Sequence, residues 1–373
     1  MSHSGYYIGL MSGTSADGVD LALVSFNEKN VELISHYYQA YNQALAQKII
    51  ELYSPSINEI DRLGQLSVEL AHFFAQAIQE LLAQQKMSPK DIIAIGCHGQ
   101  TIRHRPAKSE YINYPFTLQI GCSQTLACLT GIRTIGDFRT KDMALGGQGA
   151  PLVPAFHRYL FNELQQDAFI VNLGGIANIT YLPEDKQQSV LGFDTGPANA
   201  LLDAWCLQHT GKSFDQDGNW GAQGAISQPL LTELLSDPYF ALPAPKSTGR
   251  EYFTLDWLSQ YLSCYNLAAV DVQATLVALT AHSVANAINK LSPKAFVYLC
   301  GGGIHNKQCY KQLKQQLSCH TLNSINTLKL NNNAFEAMAF AWLAFAYDKK
   351  FYGNIPTVTG ASKQTVLGIE YTS

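Results

Sequence analysis

The chain carries the same local plan twice: an apolar strand, a glycine-containing turn and a second apolar strand that returns beside the first. Tyr6–Met11 and Leu21–Phe26 flank the first turn, whereas Ala168–Asn172 and Ile179–Leu182 flank the second, at Gly174-Gly175. Glycine allows a tight reversal, and each apolar strand must then be covered by other elements. The restart predicts two duplicated α/β halves and not an array of short repeats.

The segments around the two turns supply the other elements of an α/β chain. Helical spacing of apolar residues predicts the helices, and short apolar runs predict the strands. In the first half the predicted elements are a helix at Glu59–Leu82, a strand at Ile92–Ile95, a helix at Gln124–Leu129 and a strand at Thr134–Ile135. In the second half they are strands at Val190–Phe193 and Phe296–Leu299, and helices at Ala198–Leu207, Leu230–Leu235, Leu255–Tyr265, Val272–Leu291 and Ala334–Ala346.

Length and charge limit the class of protein. A chain of 373 residues is longer than one core usually serves, so two domains are expected. The net charge of −4 argues against nucleic-acid binding and against a polybasic membrane surface. Only 14% of the residues are charged, against roughly 25% in ordinary domains, so uncharged polar side chains must supply much of the surface. Eight scattered cysteines without zinc spacing, and an N-terminus without signal-peptide features, predict reduced thiols in a cytoplasmic protein.

The first turn, Gly13–Asp20, combines glycine, hydroxyl and carboxylate residues. Such a loop can bring backbone N–H groups and hydroxyls to phosphate oxygens, and Asp17 and Asp20 could hold Mg²⁺ directly or through water. An ordinary hairpin turn is the alternative. Gly174-Gly175 and Gly301–Gly303 favour phosphate binding because they also end apolar strands, where open α/β sheets place ligands. No P-loop or Rossmann fingerprint is present in the sequence.

Single polar side chains mark further candidate positions. Asp194 follows an apolar strand, so it is a general base, a metal ligand or a helix cap. Glu336 interrupts an apolar helix, so it is either exposed on the first turn or retained for a site. For His98, which follows a predicted strand, a buried structural histidine is the commoner outcome, but Gln100 and Thr101 beside it form a polar cluster suited to sugar hydroxyls. The Pro245–Arg250 loop is either a surface turn or a basic contact for an anionic group.

Eight segments, in order along the chain, carry a family resemblance. They are Ile8–Asp20, His98–Thr101, Gly147–Pro154, Asn172–Asn178, Gly192–Asn199, Pro245–Arg250, Cys300–Asn306 and Glu336-Ala337. Together they resemble the anhydro-N-acetylmuramic acid kinases over nearly the whole chain, and Met11–Asp20 and Gly192–Asn199 are the most specific. One departure is Ala198, which stands where a glycine is expected and bears on the geometry near Asp194.

The resemblance implies an α/β fold of two duplicated actin-like (ribonuclease H-like) ATPase domains flanking a nucleotide cleft. With the internal repeat, it predicts a first domain at 1–137 plus about 347–373 and a second domain at 138–346. The implied reaction converts ATP, water and 1,6-anhydro-N-acetylmuramic acid into N-acetylmuramic acid 6-phosphate and ADP. This places the chain in cell-wall (peptidoglycan) recycling and amino-sugar catabolism.

The resemblance also implies roles for individual residues. The expected ATP contacts are Gly13, Thr14, Ser15, Ala16, Asp17, Gly18, Val19 and Asp20, the second phosphate turn Gly174 and Gly175, and Gly301, Gly302 and Gly303 near the adenosine. Asp194 matches the base that activates water for attack on the anomeric carbon, and Glu336 matches a second acidic catalytic residue. The expected sugar contacts are Thr14, His98, Gln100 and Asp194, and the expected Mg²⁺ ligands are Asp17 and Asp20.

The implied partners are ATP, Mg²⁺, a small sugar and a second copy in a homodimer, with no nucleic acid and no membrane. An actin-like ATPase acting on another sugar is one alternative, because a fold does not determine a substrate. A nucleotide-switched chaperone or polymer is another, and the segments at His98–Thr101 and Pro245–Arg250 argue against it. A catalytically silent sugar sensor is disfavoured by the presence of Asp194 and Glu336.

Overall fold

The structure is a computed structural model that describes residues 5–26, 30–108, 112–249, 251–328 and 330–373. Arg250, at the end of the predicted basic loop, lies outside the described residues. The strands are β1 (Gly5–Ser12), β2 (Gly18–Phe26), β3 (Val31–Ala40), β4 (Ile92–Arg105), β5 (Phe116–Ile120), β6 (Thr134–Gly136), β7 (Ala168–Leu173), β8 (Ile176–Leu182), β9 (Leu191–Pro197), β10 (Phe296–Cys300), β11 (Thr321–Ser324) and β12 (Ile369–Tyr371).

Helices of very different length connect and cover these strands. The α-helices are α1 (Gln43–Glu51), α2 (Glu59–Gln85), α3 (Ser123–Thr130), α4 (Thr140–Ala144), α5 (Val153–Leu160), α6 (Asn199–Thr210), α7 (Gln228–Leu235), α8 (Pro238–Ala241), α9 (Leu255–Leu262), α10 (Ala269–Leu291), α11 (Lys307–Gln316), α12 (Phe335–Lys349) and α13 (Pro356–Thr359). Short 3₁₀ helices lie at Pro89–Asp91, Gln216–Gly218, Gly221–Gln223, Gly302–His305, Ile325–Leu328 and Asn332–Ala334.

The chain divides into two compact units with the same strand order. The first unit contains the described residues of 1–160 and 329–373, and the second contains Phe161–Leu328. In the first, β3, β2 and β1 are antiparallel, β4 runs parallel to β1 and β6 runs parallel to β4. In the second, β9, β8 and β7 are antiparallel, β10 runs parallel to β7 and β11 runs parallel to β10. This shared order confirms the predicted α/β class with duplicated halves.

Helix α12 lies so close to the first sheet that two strands carry glycine beneath it. A Cβ atom on Gly9 of β1 would overlap the carbonyl oxygen of Ala337, and a Cβ atom on Gly96 of β4 would overlap that of Phe340. All residues from Ala337 to Ala346 are buried, as expected for a helix that is apolar on every side. The last long helix therefore belongs to the core of the first unit.

Helix α10 has the corresponding central position in the second unit. It contacts β8, β9, α6, α7 and α11, and most of its residues are buried. The central strands of this unit are apolar on both faces: the successive residues Phe169 and Ile170 of β7 and Val297 and Tyr298 of β10 are all at most 5% exposed. Such continuous apolar runs are typical of parallel strands that are covered on both sides. The ends of β7 and β10 are thereby held side by side.

The unit boundaries differ from those predicted at 137 and about 347. Helix α5 packs against α12, and the rings of Phe156 and Trp342 are 6.1 Å apart, so residues up to 160 remain with the first unit. Because α12 covers β1, β2 and β4, Glu336 also lies in the first unit and not in the second. The repeated strand–turn–strand pattern in the sequence indicated where the second unit begins. No local pattern indicates which of the two sheets the helix α12 covers.

The strand predicted at Ile92–Ile95 continues to Arg105 as β4. His98 and Gln100 therefore lie within a strand and do not follow one. Strand β3 was not predicted from the sequence, because Val31–Ala40 contains no continuous apolar run and none of its residues is fully buried. Among the described residues it pairs with β2 only, which places it at the edge of the sheet.

The cysteines and the helix lengths are described in the same way along the chain. Each of the eight cysteines, all of which are described, is a free thiol. Within the described ranges, none of the helices combines the length and apolarity needed to span a bilayer.

Replacing Gly96 with Ala tests the close packing of α12. We expect Gly96→Ala to lower the free energy of unfolding by about 3 kcal/mol, since the added methyl meets helix backbone that cannot rotate away. Gly64→Ala is the matched control: Gly64 lies in α2, and no atom comes within 4 Å of the place its added methyl would take, so alanine should stabilise by about 0.5–1 kcal/mol. Urea unfolding measures both, and equal stabilities would contradict the packing described.

Candidate functional site

The loop predicted to bind phosphate is held from inside the first unit by Ser12. This residue ends β1 and is 1% exposed. Its Oγ lies 3.0 Å from the Gly18 carbonyl oxygen and 2.7 Å from Tyr41 Oη, and it also contacts Gln100 Oε1. Ser12 ends β1 and Gly18 begins β2, so the hydrogen bond between them fixes the distance between the two strands where the loop leaves the sheet.

Gln100 has a different position from the one expected of a sugar contact. Its side chain is fully buried, and Nε2 donates to the Gly13 carbonyl oxygen at 3.0 Å and to Tyr53 Oη at 3.2 Å. Tyr53 Oη in turn donates to the Thr14 carbonyl oxygen at 3.0 Å. The amide therefore has no surface open to a ligand in this structure, and its contacts hold the loop. The strand position on β4 explains why: the side chain points into the unit.

The loop residues divide into exposed and buried members. The side chains of Thr14, Ser15 and Asp17 are exposed, so they are open to a ligand. Those of Ala16 and Val19 belong to the core of the first unit, which leaves only their backbone for contacts with a nucleotide. Ala16 has a φ of +54°, a left-handed conformation that turns the chain sharply inside the loop.

The two carboxylates proposed for magnesium have separate protein partners. Ser15 Oγ donates to Asp17 Oδ1 at 2.9 Å, and His36 Nε2 lies 2.7 Å from Asp20 Oδ1. In the part of the chain that the structure describes, no group of three or more His, Cys, Asp or Glu residues could hold a metal ion. This sparse donor set fits Mg²⁺ only in the way it binds with nucleotides, through one or two carboxylates, phosphates and waters.

The half-buried Arg139 pairs with the buried ring of His98 in the first unit. Arg139 Nη2 and Nε lie 2.9 Å and 3.2 Å from His98 Nε2, and His98 Nδ1 lies 2.8 Å from the Gly99 carbonyl oxygen. The ring therefore accepts at Nε2 and donates at Nδ1, which is the neutral form. Burial, with the charge of Arg139, lowers the pKa of His98 to about 3. Both ring nitrogens are occupied, so the ring holds Arg139 in place.

Glu336 opens the first turn of α12 beside this pair. Its side chain reaches solvent, yet the dense protein around it and the negative charge of Asp20 raise its pKa, while Arg139 acts in the opposite direction. Burial lowers the pKa of Arg139 to about 10, so the guanidinium remains charged at neutral pH. Two carboxylates and one cation thus share one region of the first unit, and it includes the end of the predicted phosphate loop.

The Gly174-Gly175 turn lies directly at the start of α6 in the second unit. The N–H groups of Ala198 and Ala200 donate to the Gly175 carbonyl oxygen at 3.1 Å, and that of Asn199 donates to the Gly174 carbonyl oxygen at 3.0 Å. Backbone carbonyls therefore cap the helix, which fixes the turn. Ala198 has a φ of −138°, outside the region that favours glycine, so alanine adopts this conformation without left-handed strain.

The Gly301–Gly303 turn packs against the residues that flank the Gly174-Gly175 turn in the same unit. Gly301 has a φ of +84°, and a Cβ there would overlap Asn172 Oδ1. A Cβ on Gly303 would lie 3.1 Å from Asn199 Oδ1, whereas one on Gly302 would meet nothing closer than Asn199 Nδ2 at 3.8 Å. Packing thus requires glycine at the outer two positions, and the backbone of Gly302 is left open to a ligand.

Asp194 lies in β9, and its neighbours come from one following segment. Thr248 N–H donates to Asp194 Oδ2 at 2.9 Å, Asp194 N–H donates to the Lys246 carbonyl oxygen at 3.0 Å, and Tyr239 Oη donates to the Asp194 carbonyl oxygen at 2.7 Å. Burial raises the pKa of Asp194 to about 6; Thr248 N–H opposes this shift, and Glu251 adds to it. A carboxylate with this pKa can accept a proton from water near neutral pH.

The structure removes one alternative for Asp194. The N-cap of α6 is Ala198, and the Asp194 carboxylate accepts from Thr248 in a distant loop, so it is not the helix cap. For Glu336 the structure shows exposure on the first turn of α12, one of the two alternatives, together with electrostatic interactions with Arg139 and Asp20.

Several residues around these groups were not predicted from the sequence. Arg139, Tyr239 and Asp237 stand alone in segments without a repeated pattern, so nothing local distinguishes them from surface residues. The sequence offered one signal for such residues, its low charge content. Charged residues are rarely buried without a partner, so each buried one indicates a structural or functional role. Asp142, fully buried, accepts from Gly149 N–H at 2.8 Å and supports the loop whose Gly149 carbonyl binds Arg139.

The neutral state of His98 is testable by NMR. Because its pKa is lowered to about 3, we expect the ring signals not to titrate between pH 8 and pH 5. The unfolded chain takes up this proton near pH 6.5, so the contribution of His98 to stability is lost as the pH falls below that value. His98→Gln identifies the signals by their loss, and Arg139→Met should raise the pKa. A ring that titrates near pH 6.5 would contradict the buried ring and its pairing with Arg139.

Comparison with known proteins agrees with the motifs. A family model for anhydro-N-acetylmuramic acid kinase matches residues 5–373. An anhydro-N-acetylmuramic acid kinase of Colwellia psychrerythraea is 53% identical over 97% of this chain and 96% of its own, and one of Shewanella denitrificans is 49% identical over 100% of both chains. A solved activator of 2-hydroxyisocaproyl-CoA dehydratase from Clostridium difficile, with bound ADPNP, aligns over 92% of this chain and 96% of its own with 11% identity and a TM-score of 0.46. On the family match and the full-length relatives, this chain belongs to the anhydro-N-acetylmuramic acid kinase family.

Proposed function

We propose that this chain uses ATP and water to open the 1,6-anhydro ring of 1,6-anhydro-N-acetylmuramic acid and to phosphorylate O6. The products are N-acetylmuramic acid 6-phosphate and ADP. The observation that carries the proposal is the environment of Asp194: a half-buried carboxylate with a pKa near 6, oriented by Thr248 N–H. Family membership supports the substrate, and the strand-end glycine turns support the nucleotide.

In the proposed reaction, Asp194 accepts a proton from water as the water oxygen bonds to the anomeric carbon. The bond from that carbon to the bridging oxygen breaks, and this oxygen, O6, bonds to the γ-phosphorus of ATP as ADP leaves. Thr248 N–H orients the base at 2.9 Å from Oδ2. Water that is held and deprotonated in place attacks much faster than free water.

The phosphates of ATP are assigned to the exposed backbone and hydroxyls at Thr14 and Ser15 and to the Gly174-Gly175 turn. Asp17 and Asp20 would hold Mg²⁺, which supplies charge neutralisation to the phosphates when bound. The adenosine is assigned to the Gly301–Gly303 turn.

The sugar is assigned to Thr14, Asp194 and the group formed by Arg139, His98 and Glu336. His98 acts by holding the guanidinium of Arg139, the cation in that group. Glu336, with a raised pKa beside Arg139, is assigned to proton handling or to orienting the sugar. A homodimer and a cytoplasmic location complete the proposal, on the family resemblance alone.

Removing the base tests the mechanism directly. We expect Asp194→Asn to lower kcat by roughly 10²–10⁴-fold, because an amide cannot accept the proton, while ATP affinity changes less than about twofold. Steady-state ADP release and nucleotide titration measure the two effects. The matched control is Asp185→Asn, which removes an equal charge from an exposed turn of the same unit. Near-normal turnover of Asp194→Asn would remove Asp194 from the base role.

The pH dependence provides an independent check. Asp194 must be ionised to act, and its pKa is raised to about 6, so activity is present above pH 6 and lost below it. We expect kcat/KM to fall about tenfold per pH unit on this acid limb. A limb near pH 4, the range of an ordinary exposed aspartate, would contradict the assignment.

Substrate choice separates this kinase from one acting on an open sugar. Coupled ADP release should be observed with the 1,6-anhydro sugar and should be much slower with unbridged N-acetylmuramic acid. Activity on the unbridged sugar alone would reject the ring-opening reaction. Equal ATP turnover without any sugar would instead favour a nucleotide-switched ATPase.

A further inference from the structure

Asp237 is a buried carboxylate that the reaction itself does not use. It precedes α8 in the second unit and is 5% exposed. Both of its oxygens are occupied. Oδ1 accepts from Tyr239 N–H at 2.9 Å and Tyr252 Oη at 3.0 Å, and Oδ2 accepts from Trp257 Nε1 at 2.9 Å and Tyr261 Oη at 3.0 Å. A carboxylate with four donors is far beyond what a helix cap needs.

The four donors tie together the two ends of one segment. Tyr239 follows Asp237 closely along the chain, whereas Tyr252 comes 15 positions after Asp237. Trp257 and Tyr261 belong to α9, which lies beyond the segment. The carboxylate therefore joins Tyr239 to Tyr252, the two ends of the segment 239–252, of which residues 239–249, 251 and 252 are described, and it links both ends to α9. Edge-on packing of Tyr239 and Phe253, with ring centroids 5.4 Å apart, adds to the closure.

The closed segment supplies the three contacts that fix Asp194. Tyr239 Oη reaches its carbonyl oxygen, the Lys246 carbonyl reaches its N–H, and Thr248 N–H reaches its carboxylate. Lys246 Nζ also donates to the Tyr239 carbonyl oxygen at 2.9 Å and lies 4.5 Å from the centre of the Tyr239 ring. The path from Asp237 through Tyr239 to Lys246 and Thr248 thus consists of hydrogen bonds, one cation–π contact and the short stretch of chain between Lys246 and Thr248, all within a single unit.

The charge of Asp237 is what makes all four bonds possible. Burial opposes ionisation, but the donors, with Trp257 first among them, outweigh it and hold the pKa of Asp237 below its ordinary value. As an anion it has acceptor sites on both oxygens. An asparagine of the same shape keeps one oxygen and turns an NH₂ group towards two donors. One of those two donors is an N–H that cannot accept, Tyr239 N–H or Trp257 Nε1 according to the orientation of the amide, so that bond is lost and a donor faces a donor. The other is a tyrosine hydroxyl, which can rotate to accept from the NH₂ group.

We propose that Asp237 is a positioning residue for the general base: by closing the 239–252 segment, it holds the Thr248 N–H against the Asp194 carboxylate. The proposal rests on the function proposed above for Asp194. Asp237 touches neither substrate nor cofactor in this assignment and acts only through the segment.

The consequence for pH dependence has a definite sign. Thr248 N–H is the group that opposes the raised pKa of Asp194, so its withdrawal moves that pKa further upward. Among the described residues, the other charged or titratable groups that interact with Asp194 are Glu251, which also raises its pKa, and Tyr239 and Lys246, which contact its backbone. Loosening the segment also gives the carboxylate more orientations, which lowers the rate at every pH.

The test is Asp237→Asn in the full chain, measured with ATP and the anhydro sugar from pH 5 to pH 9. We expect the acid limb of kcat/KM to move upward by about one pH unit, because one hydrogen bond to the charged form is lost. We expect kcat at pH 7 to fall about tenfold or more, with the KM for ATP within about twofold of the original. Activity should recover in part at high pH, which a merely damaged fold does not do.

Two control variants separate positioning from stability. Leu313→Ala removes a fully buried side chain of α11, so it destabilises the same unit without touching the segment, and its acid limb should stay in place. Glu233→Gln removes an exposed carboxylate that accepts from Tyr265 Oη at 2.7 Å, a carboxylate–tyrosine bond outside the segment, and should change neither rate nor limb. If Asp237→Asn does not fold, Tyr252→Phe and Tyr261→Phe each remove one donor and should shift the limb upward by less.

The outcomes are distinguishable. An Asp237→Asn enzyme with an unmoved acid limb, or one that only reproduces the Leu313→Ala profile, overturns the positioning role. Tyrosine variants with an unmoved limb overturn it equally where the asparagine variant fails to fold. If Asp194→Asn is active, the base assignment itself fails. If Asp194→Asn is inactive and the limb of Asp237→Asn is unmoved, only the positioning inference fails.

Discussion

The contact between α12 and the strands below it is the constraint on which the first unit depends. Helix backbone lies against sheet backbone at Gly9 and Gly96, and no side chain larger than hydrogen fits between them. Because a packed backbone cannot rotate out of the way as a side chain can, this contact fixes the height and direction of the helix. It also fixes Glu336, the residue at the start of that helix, beside Arg139 and within electrostatic reach of Asp20.

Two buried carboxylates have the same physical role in the two units. Asp142 accepts from Asn354, Thr359 and Gly149, and thereby supports the loop that binds Arg139. Asp237 accepts four hydrogen bonds and supports the segment around Asp194. A charge that is buried is costly unless donors surround it, so each carboxylate gathers distant parts of the chain around itself. Only 14% of the residues in this chain are charged, and the buried carboxylates of Asp142 and Asp237 each hold several segments of the chain together.

Glycine stands at the positions of the candidate site for two different physical reasons. At Gly18, Gly301 and Gly303 a Cβ would lie within about 3 Å of other protein atoms, so packing within the unit already requires glycine. At Gly174 and Gly302 the nearest protein atoms are at 3.4 Å and 3.8 Å, so the backbone there is open to a ligand. Only the tertiary structure distinguishes a glycine required by packing from one whose backbone is open to a ligand, because both appear in the sequence as the same glycine-rich turn.

By itself, the sequence determined the α/β class, the duplicated plan, most helices and strands and the family, because hydrophobic periodicity and strand-end turns are local signals. Asp194 and Glu336 were also visible as single acids in apolar surroundings. Only the tertiary structure decided that α12 belongs to the first unit, that the Gln100 side chain contacts the Gly13 carbonyl oxygen, and which partners Asp237 and Arg139 have. The physical reason is that these properties come from contacts between residues far apart in the chain, where burial gives a side chain its partners and its pKa.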